Sequence, residues 1–224
     1  TGASSGIGRA LAIEYSKQGA LLILSARNNE ALIKTRSLCL DHKKVKLLPL
    51  DLQEISTFEA KTKEAISLFG GLDILINNGG ISQRGFANET PLEVDRKIFE
   101  INYFGTIGLT KAVLPYFIQN TKGQIAVTSW VVGKFGSPVR TAYAASKHAL
   151  HGFFDSLRAE LNDQNIGITI VCPGPINTAI SENALTASGE KQNKKDEAIA
   201  AGMNPEVLAK KYIKALKKNK REAW

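Results

Sequence analysis

Short apolar runs alternate along this chain with stretches in which apolar side chains recur at helical spacing. Five runs have strand character: Leu21–Ser25 (LLILS), Val45–Leu50 (VKLLPL), Leu72–Asn77 (LDILIN), Gln124–Thr128 (QIAVT) and Ile168–Cys172 (ITIVC). Between them lie amphipathic stretches at about Arg9–Gln18, Glu30–Asp41, Ser56–Phe69, Leu92–Gln119 and Ala142–Asn162. Runs that are apolar throughout form strands buried on both faces, and strand–helix alternation builds right-handed crossovers in a parallel sheet. The pattern therefore predicts an α/β fold: a doubly wound parallel sheet in three layers, α/β/α, as a single domain over residues 1–224.

Two places break the rhythm. Pro175–Asn204 is polar and small-residue rich, and reads as an excursion over the strand ends, a lid or substrate wall at about 175–204. A disordered insertion is the alternative there. The other place is the opening "TGASSGIGRA", because a glycine-rich phosphate turn needs a strand in front to aim it. A further apolar strand is therefore expected upstream of Thr1, central in the sheet, and without it backbone on both sides would be left unpaired. A membrane anchor would also have room upstream.

Composition changes this picture little. With 224 residues, 43% hydrophobic and 22% charged, the chain fits one sizeable core. No apolar run approaches the roughly 20 residues of a bilayer crossing, and no signal-peptide pattern opens the chain. Cys39 and Cys172 match no metal-ligand or redox spacing, so they are expected to pack as reduced apolar side chains, with no metal, in a reducing, cytoplasmic setting. The net charge of +8 is concentrated near "KKYIKALKKNKR". There lysines alternate with Tyr212, Ile213, Ala215 and Leu216 as on a solvated helix face, and no nucleic-acid partner is expected.

Candidate chemistry starts at the glycines. Gly2, Gly6 and Gly8 form a turn opening a helix near Ile7, where backbone can approach phosphate and the helix N-terminus offers N–H groups and a positive dipole end. About 20 residues on, where a ribose-binding acid would sit, stand Ala26 and Arg27. With no carboxylate to repel a 2′-phosphate and a guanidinium able to fork onto it, NADP is favoured over NAD. Asp51 either accepts from the adenine amino group or caps the next turn.

Together the glycines of "TGASSGIG", Asp51, "NNGG" at Asn77–Gly80, Asn102, "YAASK" at Tyr143–Lys147 and "PGPINT" at Pro173–Thr178 resemble the classical short-chain dehydrogenase/reductases. Nearly the whole chain is covered, in the family's motif order and spacing. "NNGGISQRG" and "SKHALHGFFDSLRAEL" look most like the NADP-dependent carbonyl and steroid reductase branch, although "NNGG" departs from the commoner Asn-Asn-Ala-Gly. The resemblance implies a Rossmann fold, a small-molecule carbonyl or alcohol substrate, and a homodimer or homotetramer through the fourth and fifth helices. It implies further cofactor contacts at Ser4, Ser5, Ile7, Leu52, Asn78, Gly79, Pro173 and Gly174, with Ile176 and Thr178 holding the carboxamide.

In such proteins Tyr143 would be the general acid of carbonyl reduction and the base of alcohol oxidation. Lys147 is one helical turn on, where its ammonium would lower the tyrosine's pKa from about 10 and hold the cofactor ribose. Asn102 stands mid-helix, a poor place for an amide, where relatives carry a helix irregularity and a relay water.

One position departs from the family. Its substrate-binding serine lies thirteen residues before the tyrosine, which here is Trp130, and Ser129 is one residue early. Three readings stand: a bulge aims Ser129 correctly; Trp130 fills the place and Tyr143, Lys147 and Asn102 work without the serine; or the chain is a non-catalytic NADP-binding protein. The Trp130 indole N–H is itself a candidate donor to substrate. His148 and His151 read as ordinary helix residues, and Arg84 either lines the substrate mouth or is solvated.

Overall fold

Apolar spacing and local stop signals account for the helices of the computed structural model, which describes residues 1–224. Helix α1 (Gly6–Lys17) is followed by strand β1 (Leu22–Leu24) and by α2 (Asn29–Ser37), which Asn28 caps by accepting from Ala31 N at 3.0 Å. Strand β2 (Val45–Leu47) leads to α3 (Phe58–Phe69), ended by Gly70 in the left-handed region, then to β3 (Ile74–Asn77) and the short β4 (Gln83–Arg84).

The predicted helix Leu92–Gln119 is divided: α4 (Leu92–Phe99) passes through a π-helical turn, Glu100–Phe104, into α5 (Gly105–Gln119). Strand β5 (Gly123–Thr128), α6 (Thr141–Glu160) and β6 (Ile166–Val171) follow. The remainder comprises β7 (Leu185–Thr186), α7 (Glu197–Ala200), α8 (Pro205–Lys217) and β8 (Glu222–Ala223).

Strands pair in parallel as β1-β2 and as β3-β5-β6-β8, with β5 matching β6 from Gly123↔Ile166 to Thr128↔Val171. Alternation along β5 sends Ile125 and Val127 to one side and Ala126 to the other. The first side packs Phe58, Val113, Phe117 and Phe154 from α3, α5 and α6; the second packs Leu11 of α1 with Tyr212, Ile213 and Leu216 of α8. Each such fully buried side chain contributes roughly 1.5–3 kcal/mol. The lysines of α8 point outward, as the pattern required.

β1 and β3 are not paired with each other. They face each other across an apolar slot of about 440 Å³ walled by Leu22, Leu24, Leu75, Leu109 and Val113. Residues 1–3 bond both neighbouring strands: Thr1 N donates to Ile76 O at 2.7 Å, and Ala3 N to Ser25 O at 3.2 Å.

The excursion after β6 is tied to the body and is not a disordered insertion. β7 pairs in parallel with β4, Ile176 bridges Met203, and Leu185 N donates to Ser82 O at 2.9 Å. No helix is long and apolar enough to cross a membrane.

Candidate active site

The glycine turn is built by contacts that exclude side chains. Gly2 and Gly6 have φ of +66° and +50°, costly for other residues, and a β-carbon on Gly8 would run into the Gly2 carbonyl. At Gly6 a β-carbon would stand 3.0 Å from the Thr178 methyl, so the "PGPINT" loop closes over the turn from the other side. The side chain of Ser5 makes no cap at α1, and no acid occupies its first turn, which leaves the positive helix end toward the cleft. Arg9 bonds the Ser4 carbonyl and, at 3.2 Å, Thr35 Oγ1, which in turn donates to Ala3 O at 2.9 Å. These two braces of the turn carry no motif, and sequence reading passed over them.

A cavity of about 480 Å³ runs from this turn to the start of α6. Gly2, Ser4, Ser5, Gly6 and Ile7 line one end; Arg27, Asp51, Leu52, Asn78 and Gly79 line its flank. Pro173, Gly174, Ile176, Thr178, Tyr143 and Lys147 complete it. Gly8 and Asn102 lie behind this lining. Arg27 is exposed just after β1, with Ser25, Ala26 and Asn28 beside it in the cavity lining. Asp51 accepts from Gln53 N at 3.0 Å, the turn-capping alternative.

Tyr143 and Lys147 share a face of α6, with the ammonium 5.7 Å from the phenol ring centre and donating to Thr128 O at 2.9 Å. Asn102 lies in the π-helical turn, the irregularity expected there. Its Oδ1 accepts from Ile81 N at 2.8 Å, and its Nδ2 donates to Ile81 O at 2.9 Å and Ser146 Oγ at 3.2 Å. The amide thus stitches the "NNGG" loop to α6. Fully buried Gln83 was missed by the sequence reading: its Oε1 accepts from Ala142 N at 3.0 Å and Tyr143 N at 3.3 Å, holding the first turn of α6.

Burial raises the Tyr143 phenol well above its usual value, and the nearby charges of Arg84 and Arg140 offset this only in part. Burial lowers the Lys147 ammonium from 10.5 to about 8. With both groups buried, desolvation sets the direction of each shift.

Ser129 is corrected as the substrate donor. It lines the cavity, but its hydroxyl is paired with His151 Nε2 at 3.1 Å. Trp130 stands in its place, its ring 5.7 Å from that of Tyr143 and under the Arg140 guanidinium at 5.8 Å. The indole N–H donates to Gly174 O at 3.0 Å, so it is engaged and not free for substrate.

Arg84 is neither solvated nor alone. Its Nε donates to Asp196 Oδ2 at 2.8 Å, Arg140 reaches the same oxygen at 3.1 Å, and Gln192 holds Oδ1 at 2.9 Å. Asp196 thereby pins the 175–204 segment beside the tyrosine, and Ile176, Ile180, Leu185 and Ile199 of that segment wall the cavity. His148 is bonded to Ala144 O at 2.9 Å, as an ordinary helix residue.

Comparison with known proteins identifies the family and the fold. The family model described as short chain dehydrogenase matches residues 1–189. Dehydrogenase/reductase SDR family protein 7-like of Anopheles gambiae is 43% identical over 228 residues, covering 99% of this chain and 72% of that protein. Dehydrogenase/reductase SDR family member 7 of Homo sapiens is 45% identical over 197 residues, 85% of this chain and 58% of that protein. Among solved structures, a short chain dehydrogenase/reductase from Burkholderia phymatum in complex with NAD superposes with a TM-score of 0.88 at 23% identity, covering 99% of this chain and 85% of its own. An alcohol dehydrogenase from Thermococcus sibiricus complexed with 5-hydroxy-NADP gives 0.82 at 22%, covering 99% and 91%. At such identity the two structures speak for the fold.

Proposed function

Because the chain belongs to the short-chain dehydrogenase/reductase family, we propose that it is an NADP(H)-dependent oxidoreductase acting on a carbonyl or secondary alcohol, with Tyr143 as general acid and base. One observation carries this reading: a single cavity joins the glycine turn and Arg27 at one end to Tyr143 and Lys147 at the other. The residues present suit a nicotinamide dinucleotide, since a side chain at Gly2, Gly6 or Gly8 would close the cradle. When bound, that group supplies or accepts the hydride.

The chain's own residues do the rest. α1 and the glycine turn bind the pyrophosphate, Arg27 the 2′-phosphate, and Ile176 with Thr178 the carboxamide. Lys147 holds the ribose hydroxyls and, charged, favours the phenolate needed for alcohol oxidation. Tyr143 gives its proton to the substrate oxygen in reduction. With Ser129 paired to His151, turnover proceeds without that hydroxyl, whose loss commonly costs about 10²–10³ in rate.

Dimerisation or tetramerisation through α5 and α6 is part of the proposal, supported by exposed Phe104 beside the partly buried rings of Tyr103 and Phe153, and by exposed Ile118 near the other end of α5. The enzymatic reading is tested by a carbonyl panel with NADPH, run on the wild type and on Tyr143→Phe. Turnover lost in the variant supports it. NADPH binding without turnover in any member, alongside activity only in Trp130→Ser, would favour a non-catalytic binding protein instead.

A further inference from the structure

A cluster of metal-ligating side chains lies outside the cavity lining. His151 comes from α6, Cys172 directly follows β6, and Glu222 comes from β8, whose pairing with β6 includes Cys172 N donating to Ala223 O at 2.8 Å. His151 Nδ1 is 3.4 Å from Glu222 Oε1, and Cys172 Sγ is 3.6 Å from the same oxygen and 3.7 Å from His151 Nε2. Tetrahedral zinc with bonds of about 2.0–2.3 Å spaces its ligands about 3.3–3.8 Å apart, as the two separations to Glu222 Oε1 are; the 3.7 Å from sulfur is to Nε2, the ring nitrogen held by Ser129, and one ligand atom of each residue lies within 4.8 Å of the others.

The imidazole supplies an independent sign. The His151 side chain is only 10% exposed, yet Nδ1 has no hydrogen-bond partner, while Nε2 is held by Ser129 Oγ at 3.1 Å. A buried ring nitrogen turned to a carboxylate without a bond is costly. A ligating histidine with its second nitrogen hydrogen-bonded is the usual arrangement at a metal.

We propose that Cys172, His151 Nδ1 and Glu222 bind a divalent transition-metal ion of the zinc class, with Ser129 orienting the imidazole. Thiolate and imidazole together select zinc-like ions over magnesium or calcium. On binding, the Cys172 thiol proton passes to solvent as the sulfur–metal bond forms. Lys134, which pairs with Glu222 at 2.6 Å and is 37% exposed, swings away. The ion fastens β8 and β6 to α6, one helical turn after Lys147.

The test uses the purified full chain. Dialysis against Zn²⁺ is expected to leave one equivalent per chain, and Co²⁺ to give a thiolate-to-cobalt charge-transfer band in the near ultraviolet. That band is expected to persist in Cys39→Ser and to vanish in Cys172→Ser and in His151→Gln. Lys134→Met, which removes the competing ammonium, is expected to tighten Zn²⁺ several-fold. Uptake well below one equivalent, no cobalt band in the wild type, or a band lost in Cys39→Ser would each overturn the proposal. The wild type and Cys39→Ser decide the matter even where the Cys172 variant does not fold. The readouts are independent of dinucleotide binding and turnover.

Discussion

The Trp130 ring stands 5.7 Å from the Tyr143 ring, tilted by 54°, and its N–H is tied to Gly174 O. An indole thus occupies the place from which a short hydroxyl would reach the substrate oxygen. Trp130→Ser supplies that hydroxyl and widens the cavity beside Tyr143. Turnover of small ketones is expected to rise, by up to about 10²-fold if the new donor is well placed. Steady-state kinetics with NADPH check this. Lower turnover with unchanged NADPH affinity would mean that the indole is itself part of a matched substrate wall.

On the proposed NADP(H) reading, Arg27, exposed just after β1, is the residue that meets the 2′-phosphate. Its loss in Arg27→Ala removes charge-assisted hydrogen bonds to a 2′-phosphate and none to a 2′-hydroxyl. NADPH dissociation constants are expected to rise about 10- to 100-fold while those for NADH barely move. Fluorescence titration with both cofactors measures the ratio, and an equal change in both would remove Arg27 from the 2′-phosphate contact.

What could be read in the sequence was local. Tyr143 and Lys147 are four apart on one helix, the glycines are packed into one turn, and the strands are continuous apolar runs, so short-range rules suffice. What escaped depends on residues brought together from afar. Arg84 and Asp196 are 112 positions apart, Gln83 and Tyr143 60. Likewise Cys172, His151 and Glu222 show no ligand spacing along the chain, because a helix and two paired strands assemble them. Strand alternation alone left the direction of Ser129 open, because its pairing with His151, 22 positions on, is again a contact made by the fold.

Gln83 holds the start of the helix that carries the tyrosine. Gln83→Leu leaves the N–H groups of Ala142 and Tyr143 without an acceptor in a buried place, which costs about 1–3 kcal/mol. Denaturant unfolding is expected to show that loss. Because the same bonds fix the tyrosine's position, kcat is expected to fall more than NADPH affinity. A stability loss with kcat unchanged would limit Gln83 to a structural part.

Burial pushes the Lys147 ammonium down to about 8 from its ordinary 10.5. Between these values the unfolded chain binds the extra proton, so stability rises with pH across that window. The difference of about 2.5 units corresponds to about 3 kcal/mol at most, present as a penalty below pH 8 and relieved near pH 10.5. Lys147→Met lacks the titration. Its unfolding free energy relative to wild type is expected to be higher by that order at pH 7 and to converge at high pH; a constant difference would show that the Lys147 pKa is the same folded and unfolded, its contact with Thr128 O offsetting the cost of burial.

Asp196 joins the 175–204 segment to both Arg84 and Arg140. Burial alone would raise its carboxyl, but the bonds from Arg84 and Gln192 and the two guanidinium charges pull it below the usual 3.8. Its contribution is therefore present above that value and lost as pH falls below it. Asp196→Asn keeps the shape and removes the charge at all pH. A fully buried pair would lose about 3–5 kcal/mol, and with the Asp196 side chain 21% exposed about 1–3 kcal/mol is expected. Hydrogen exchange should quicken at amides that close the segment, such as Gln192 N bonded to Ala184 O and Asp196 N bonded to Ser181 Oγ. KM for the carbonyl substrate should rise with it, because Ile180, Leu185 and Ile199 of the cavity wall ride on the same segment. Faster exchange with KM unchanged would separate the latch from the substrate wall.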